Sequence, residues 1–446
     1  MVAFFKEQKK VKESKAFEVG CHELDLHGRG VARENGKVYF IEGLMPEEKA
    51  RVILKNFKGK TAEAAITKIT HLSDKRRESD CEYLSQCGGC PLQHLPEDMA
   101  LEAKISGIKK VIKRSCNLEL PEVLSVATSD AHAYRRACRF SVKTDHKKLK
   151  LGFRGSKSHD LIAIDSCLTL TDRINSAIDD VKKLINKLEC KKRVGHVEFL
   201  DSDGSLGILV RINAKVTDAD RDLLSAFGEG RGFTLAVAET LEHEVDQSQY
   251  IKESVLVNED SLYIKAKDCI IDCTPSSFVQ VNRDINEALI DAVIEGCALN
   301  AESKVLDMFC GLGNFTLPIA KRAHSVVGVD IVRDMIEKAK ANALKNNLDN
   351  VSFVNTDLED KFENQIFAKQ NYDVVVMDPG RSGAKRATVF CARMKPKRIV
   401  LISCNVLAAS RDIVELLKVG YKIESWSVFD MFPRTTHIET MFVFSL

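Results

Sequence analysis

The chain has 446 residues, 44% hydrophobic and 29% charged, with a net charge of +2. This length suggests about three domains and a sizeable core, and the balance excludes a disordered or fibrous chain. So small a net charge excludes indiscriminate polyanion binding, and what matters for nucleic acid is where the basic residues lie. Met1 to Lys15 holds no apolar core of a signal peptide, and no apolar run approaches membrane-spanning length. A cytoplasmic protein without membrane contact is therefore expected. In that compartment thiols stay reduced, so fourteen cysteines point to metal or catalysis rather than to disulfides. There is no internal repeat and no low-complexity tract.

After the charged tail, short strands are predicted at 16–19, 37–41, 49–54 and 61–66. They are divided by turns at Gly28, Gly30, Asn35-Gly36, Gly43 and Pro46. That rhythm fits a small five-stranded barrel, and Lys55, Lys58 and Lys60 give it a basic edge that could track a phosphate backbone. Charge on a hairpin is more often solvated surface. The stretches Asp25-Leu26-His27-Gly28-Arg29-Gly30-Val31-Ala32 and Val38 to Gly43 nevertheless resemble the TRAM domain, an OB-like RNA-binding module.

Cys81, Cys87 and Cys90 then fall within Cys-Glu-Tyr-Leu-Ser-Gln-Cys-Gly-Gly-Cys. Three thiols this close, with glycines that let the backbone curl round an ion, favour a metal. Structural zinc usually brings paired Cys-x-x-Cys arms, whereas three clustered ligands with a remote fourth suit an iron-sulfur cluster. Cys167 is the candidate fourth ligand, and Cys116, Cys138 and Cys190 are also available. A helix is predicted from Glu97 to Arg114. Strands follow at 137–142, 150–153, 194–200 and 207–212, the last two as a hairpin pair. Tyr134, Arg135, Arg136, Arg139 and Arg154 concentrate cations beside an aromatic ring. They read either as snorkelling surface arginines or as phosphate and base contacts.

From Ser303 strands and helices alternate, which implies a parallel sheet covered on both faces. Strands are predicted at 304–309, 325–330, 351–354, 373–377 and 398–402, and helices near 315–322, 333–347, 384–394 and 407–418. The first turn, Asp307 to Phe315, carries a Gly-x-Gly that lets a ligand approach the backbone. Asp330, about 20 positions on, can accept from ribose hydroxyls. Asp357 follows the third strand, and the third glycine of a dinucleotide fingerprint is missing. S-adenosylmethionine, which has no pyrophosphate, fits this better than NAD. The fourth strand ends in Asp378-Pro379-Gly380-Arg381-Ser382-Gly383. The fifth runs into Ser403-Cys404-Asn405, which puts a thiol at the ligand-binding edge of the sheet.

Taken together, these motifs resemble the bacterial TRAM-containing 23S ribosomal RNA (uracil-5-)-methyltransferases that carry a [4Fe-4S] cluster. The likeness extends through Phe278-Val279-Gln280-Val281-Asn282 and the ending Asp430 to Glu439, and covers nearly the whole chain. It implies a Rossmann-like α/β class I methyltransferase domain at 266–446. It also implies an OB-like barrel at 1–73 and a mixed, mainly β central domain at 74–265 with the cluster, whose stretch 97–124 packs on the catalytic domain. By the same resemblance Cys81, Cys87, Cys90 and Cys167 hold the cluster. Gln280, Phe309, Asn314, Asp330, Asp357 and Asp378 contact or border S-adenosylmethionine, Cys404 is the nucleophile and Glu439 the proton-abstracting base. The chain departs from the family pattern at Val406, where proline is usual, and at Gly380, where proline or alanine is usual. Neither change removes a reacting atom.

The implied partner is 23S ribosomal RNA presenting a flipped uridine from a loop or single strand. A monomer is expected, although the sequence leaves the oligomeric state open. Transfer-RNA uracil-5 methylation and a non-catalytic RNA-binding iron-sulfur protein are the rival readings. DNA cytosine-5 methylation would place its nucleophile in a Pro-Cys dipeptide, whereas Ser403 precedes Cys404 here.

Overall fold

The computed structural model describes residues 15–145, 148–156, 158, 160–243 and 249–446. The signal-peptide expectation for Met1 to Lys15 therefore lies, Lys15 apart, outside the described residues. Among these, no helix is long and apolar enough to cross a membrane. The chain divides into two compact units, one comprising 1–84, 89–110 and 434–437 and the other 85–88, 111–433 and 438–446.

The first unit holds one six-stranded sheet, in the order Phe17–Gly20, Lys49–Lys58, Thr61–His71, Lys37–Ile41, Gly30–Glu34, Glu23–Leu24. The expectation of five strands is corrected to six. Beyond the four strands predicted by position, the other two are Glu23–Leu24 and Gly30–Glu34, which flank the Gly28 turn and are too short to show a clear alternation in sequence. Where alternation is visible it works as expected, with Ala50 and Val52 inside and Lys49 and Arg51 outside. Val19, Ala32, Tyr39, Ile41 and Ala62 join them in one core. The hairpin of the two longest strands ends in solvent, and Lys55, Lys58 and Lys60 are all exposed there.

The second unit contains two large sheets. The first has seven strands in the order Leu161–Ala163, Lys148–Arg154, Ala137–Asp145, Val194–Asp201, Leu206–Ile212, Thr234–Glu242, Gln249–Val257. Val194–Asp201 and Leu206–Ile212 pair antiparallel, as the hairpin reading expected. Two helices not anticipated from sequence are Asp172–Lys187 and Asp218–Arg231. The former buries Ile174, Ala177, Ile178, Val181, Leu184 and Ile185, a stripe at helical spacing.

The second sheet has eight strands, in the order Val351–Asn355, Ser325–Asp330, Lys304–Met308, Val374–Met377, Arg398–Ser403, Glu439–Ser445, Lys422–Phe429, Ser125–Ala127. The first five are parallel, and Glu439–Ser445 runs antiparallel to both of its neighbours. Continuous apolar runs form the central strands because both faces are covered, and all four residues of Val374–Met377 are buried. Lys422–Phe429 and Ser125–Ala127 were not anticipated. The latter has three residues and pairs parallel with residues some 300 positions later in the chain.

Gly328 lies in the second parallel strand, where an added Cβ would stand 2.7 Å from the Phe353 ring and 3.0 Å from Cys310 Sγ. Gly328→Ala should therefore destabilise the protein by about 1–3 kcal/mol, the usual range for overpacking a core. Urea denaturation of the two proteins measures this, and an unchanged midpoint would refute it.

Candidate active site

A parallel sheet gathers the C-terminal ends of its strands along one edge, and a ligand binds there. Five strands deliver Phe309, Asp330, the segment leading to Asp357, Asp378 and Cys404 to this edge. Glu439 arrives from the opposite direction. Because Glu439–Ser445 runs antiparallel, its first residue lies at the same edge as the last residue of Arg398–Ser403. The register pairs Ser403 with Thr440 and Phe429 with Glu439, so Cys404 and Glu439 leave neighbouring strands side by side. The Thr440 hydroxyl donates to the Ser403 carbonyl at 3.0 Å and pins that register.

Cys404 sits between this strand end and a helix start. Asn405 caps the helix Val406–Leu417, its side-chain oxygen accepting from Leu407 N–H at 3.1 Å and Ala408 N–H at 3.4 Å. Its amide nitrogen donates to the Arg381 carbonyl at 3.0 Å, tying the thiol's loop to the Asp378–Gly383 loop. Val406 is the first helical residue, where proline is favoured because its missing N–H has no partner to lose. With Asn405 holding both loops, valine costs the turn little.

Burial, then the charges of Glu439 and Asp378, push the Cys404 thiol up to about 11, while Arg381 pulls it back. Burial first and Asp378 second hold Glu439 well above the usual carboxylate range. Burial raises Asp378 to about 7. At neutral pH the Cys404 thiol therefore carries its proton in the ligand-free protein, and the Glu439 carboxyl is shifted in the same direction. A cationic ligand beside these groups would favour their ionised forms.

The turn after Lys304–Met308 is built for close approach. Phe309 adopts φ +70°, a conformation rare outside glycine, and Gly313 adopts +97°. Gly311 N–H donates to Asp330 Oδ2 at 3.0 Å, and a Cβ placed at Gly311 would meet nothing within 4 Å, so the turn faces open space. Asp330 Oδ1 accepts from Val332 N–H at 2.9 Å, which leaves lone pairs on both oxygens for a hydroxyl-bearing ligand. Gln280 Nε2 lies 3.5 Å from Asp378 Oδ2 across this edge. This donor set fits S-adenosylmethionine. Asp357 is exposed and accepts from Glu359 N–H at 2.8 Å, a local turn contact.

Sequence reasoning missed Asn286, which is buried and exchanges two side-chain hydrogen bonds with Asn314, at 3.0 and 2.9 Å. It lies one helical turn after Asn282 in Arg283–Cys297, the helix that Asn282 caps, and that spacing is the signal that could have found it. Asp412 was also missed. It accepts from Ala384 N–H at 2.9 Å and closes the loop that carries Arg381.

Cys81, Cys87, Cys90 and Cys167 are all partly exposed. Cys81 and Cys90 belong to the first unit, Cys87 and Cys167 to the second. Among the described residues no three His, Cys, Asp or Glu side chains are arranged to hold a metal ion. Four thiols are donor chemistry that suits an iron-sulfur cluster. Burial raises the thiols of Cys116, Cys138 and Cys190, the last to about 12 with help from Asp220, and disfavours them as thiolate ligands.

The cationic group near residue 135 is split. Arg139 and Arg154 are exposed, Arg139 lying 3.4 Å from Glu198. Tyr134 is buried and Arg136 retains only 2% of its surface, so neither is the surface group that both readings of this cluster supposed. Phe278, by contrast, is 70% exposed, two residues from Gln280.

A doubly covered sheet with one antiparallel strand inserted, a Gly-rich first turn and a thiol beside a carboxylic acid at the ligand edge defines an S-adenosylmethionine methyltransferase fold. Residues 97–445 match the family model described as tRNA (Uracil-5-)-methyltransferase. The chain is 36% identical to the 23S rRNA (uracil(1939)-C(5))-methyltransferase RlmD of Tolumonas auensis, over 100% of its own length and 99% of the relative's. It is 34% identical to the protein of that name from Aeromonas salmonicida, over 100% of both. A solved structure, Pyrococcus abyssi tRNA (uracil-54, C5)-methyltransferase with S-adenosyl-L-homocysteine, has the same fold. It is 22% identical with a TM-score of 0.71, over 96% of this chain and 100% of that one. The chain belongs to the RNA (uracil-5-)-methyltransferase family.

Alkylation offers a direct check on the electrostatics. With the thiol near 11, iodoacetamide labelling of the Cys404 peptide, followed by mass spectrometry, should keep rising about tenfold per pH unit from 7 to 10. A plateau below pH 9 would contradict the raised value.

Proposed function

We propose that this protein methylates carbon 5 of a uridine in 23S ribosomal RNA, using S-adenosylmethionine and a covalent bond between Cys404 and the base. The observation that carries this reading is the strand register that sets Cys404 and Glu439 side by side at the ligand edge. Full-length similarity to the 23S relatives favours ribosomal over transfer RNA.

Carbon 5 of uracil is a weak nucleophile, so the base must first be activated. Cys404 gives up its proton to solvent, helped by the positive charge of Arg381, and its sulfur adds to carbon 6. The electron pair of the 5,6 double bond moves into an enolate, whose carbon 5 takes the methyl group. Gln280, Phe309, Asn314, Asp330, Asp357 and Asp378 would border S-adenosylmethionine, whose sulfonium–methyl bond would break as the methyl is taken, leaving S-adenosylhomocysteine. Glu439 then accepts the carbon 5 proton, the double bond re-forms and the carbon 6–sulfur bond breaks, releasing the thiolate. Glu439 must be ionised at that step, and burial beside Cys404 keeps it a strong base once it is. The uridine has to leave its stack to reach the thiol, at a cost of a few kcal/mol unless it is already unpaired.

Residues 1–73 serve as the TRAM-like RNA-binding part, with Lys55, Lys58 and Lys60 on its exposed hairpin. Residues 74–265 form the central part and 266–446 the catalytic part. A [4Fe-4S] cluster held by Cys81, Cys87, Cys90 and Cys167 is structural, since four thiolates leave no open iron. The protein works in the cytoplasm as a monomer.

Two measurements test this. Glu439→Gln should slow turnover roughly 10²–10⁴-fold, the usual contribution of a general base, and accumulate methylated RNA that stays bound to Cys404 on denaturing gels. Cys404→Ala should form no adduct. A Glu439→Gln protein that binds S-adenosylmethionine yet leaves no adduct would remove Glu439 from the role of base. For the cluster, protein purified without oxygen should be brown and contain iron and sulfide. Stoichiometric zinc with neither would refute it.

A further inference from the structure

Arg136 is a fully buried cation whose charge the reaction scheme leaves unused. Its guanidinium retains 2% of its surface, and Nη1 and Nη2 make no hydrogen bond within the protein. The nearest carboxylate, Asp203, lies 3.8 Å from Nη1 and also serves Arg283 Nη2 at 3.1 Å and Lys265 N–H at 2.8 Å. Burying a guanidinium with so distant a counter-charge is costly and does not raise stability by itself. What the side chain does hold is a loop. Arg136 Nε donates to the Gln280 carbonyl at 2.8 Å, and Arg136 N–H donates to the Val281 carbonyl at 2.8 Å. On the far side of the same residue, Gln280 Nε2 reaches Asp378 at 3.5 Å. The backbone beside Arg136 is anchored in turn, because its own carbonyl accepts from Asp201 N–H at 2.7 Å.

We propose that Arg136 is a positioning residue for the methyl donor. From just before the strand Ala137–Asp145 of the seven-stranded sheet it clamps the 278–282 loop, so that the Gln280 amide is presented towards Asp378 at the ligand edge of the eight-stranded sheet. A charge-assisted bond to a carbonyl is stronger and shorter than a neutral one, and the planar guanidinium fixes direction as lysine does not. The inference rests on Gln280 bordering the donor pocket, as the functional reading has it.

The test uses the full-length holoprotein. Arg136→Met should raise KM for S-adenosylmethionine about tenfold, the size expected for one lost charge-assisted bond, with kcat within about twofold. RNA affinity should stay unchanged at every salt concentration. Gln280→Ala alone should raise the same KM, and adding it to Arg136→Met should raise it no further, since both act through one contact. Arg136→Lys should fall between wild type and Arg136→Met, and it carries the test should the latter fail to fold. Loss of RNA affinity with an unchanged donor KM would make Arg136 a phosphate contact. A lower melting temperature with unchanged KM and kcat would make it merely structural. Either result overturns the proposal. A wild-type donor KM in Gln280→Ala would instead show that the loop does not border the donor, which faults the functional reading and is distinguishable by that variant alone.

Discussion

The antiparallel pairing of Glu439–Ser445 with Arg398–Ser403 is the constraint on which the active edge depends. In an all-parallel sheet only C-terminal strand ends reach the ligand, and those ends must supply every reacting group. Reversing one strand brings an N-terminal residue to the same edge. Register then does the rest, because side chains alternate along a strand and a slip of one residue would turn Glu439 away from Cys404. The Thr440 hydroxyl bonded to the Ser403 carbonyl guards against that slip. Phe442 and Phe444, both fully buried, anchor Glu439–Ser445 in the core, and Phe442 stacks on Trp426 of the neighbouring strand Lys422–Phe429.

That placement has an electrostatic consequence. Two carboxyl groups and a thiol share a site with little access to water, and burial is the largest cause of each upward shift. Groups held in this way resist ionisation until a positive charge or a guanidinium comes near. Arg381 is the chain's own contribution, and its loop is fixed by Asn405 and Asp412 through separate bonds. Nucleophile, base and charge are thus tuned by one low-dielectric pocket rather than by three independent environments.

The same economy marks the donor turn. Phe309 is held in a left-handed conformation, Gly311 is tied to Asp330, and Asn314 is locked by Asn286 from the helix Arg283–Cys297. Asn282 opens that helix, and the residues just before it form the loop gripped by Arg136. A short segment between the two large sheets therefore carries both the cap of a core helix and a wall of the ligand edge.

The sequence by itself determined the parallel sheet, because continuous apolar runs such as Val374–Met377 and 399–402 can be satisfied only between two covered faces. It also determined the Gly-rich turn and the thiol at a strand end, since these depend on neighbours in the chain. Tertiary structure alone decided what depends on distant partners. Arg136 reads in sequence as one more surface cation, yet it is buried because the Gln280 and Val281 carbonyls, over 140 residues away, meet it there. Ser125–Ala127 is too short to declare itself a strand and exists because Lys422–Phe429 offers it an edge. Asn286 and Asp412 look like ordinary helix-surface polar residues until folding buries them against Asn314 and Ala384. Local pattern encodes periodicity and turns, whereas a buried polar residue is explained only by the group that satisfies it, and that group comes from elsewhere in the fold.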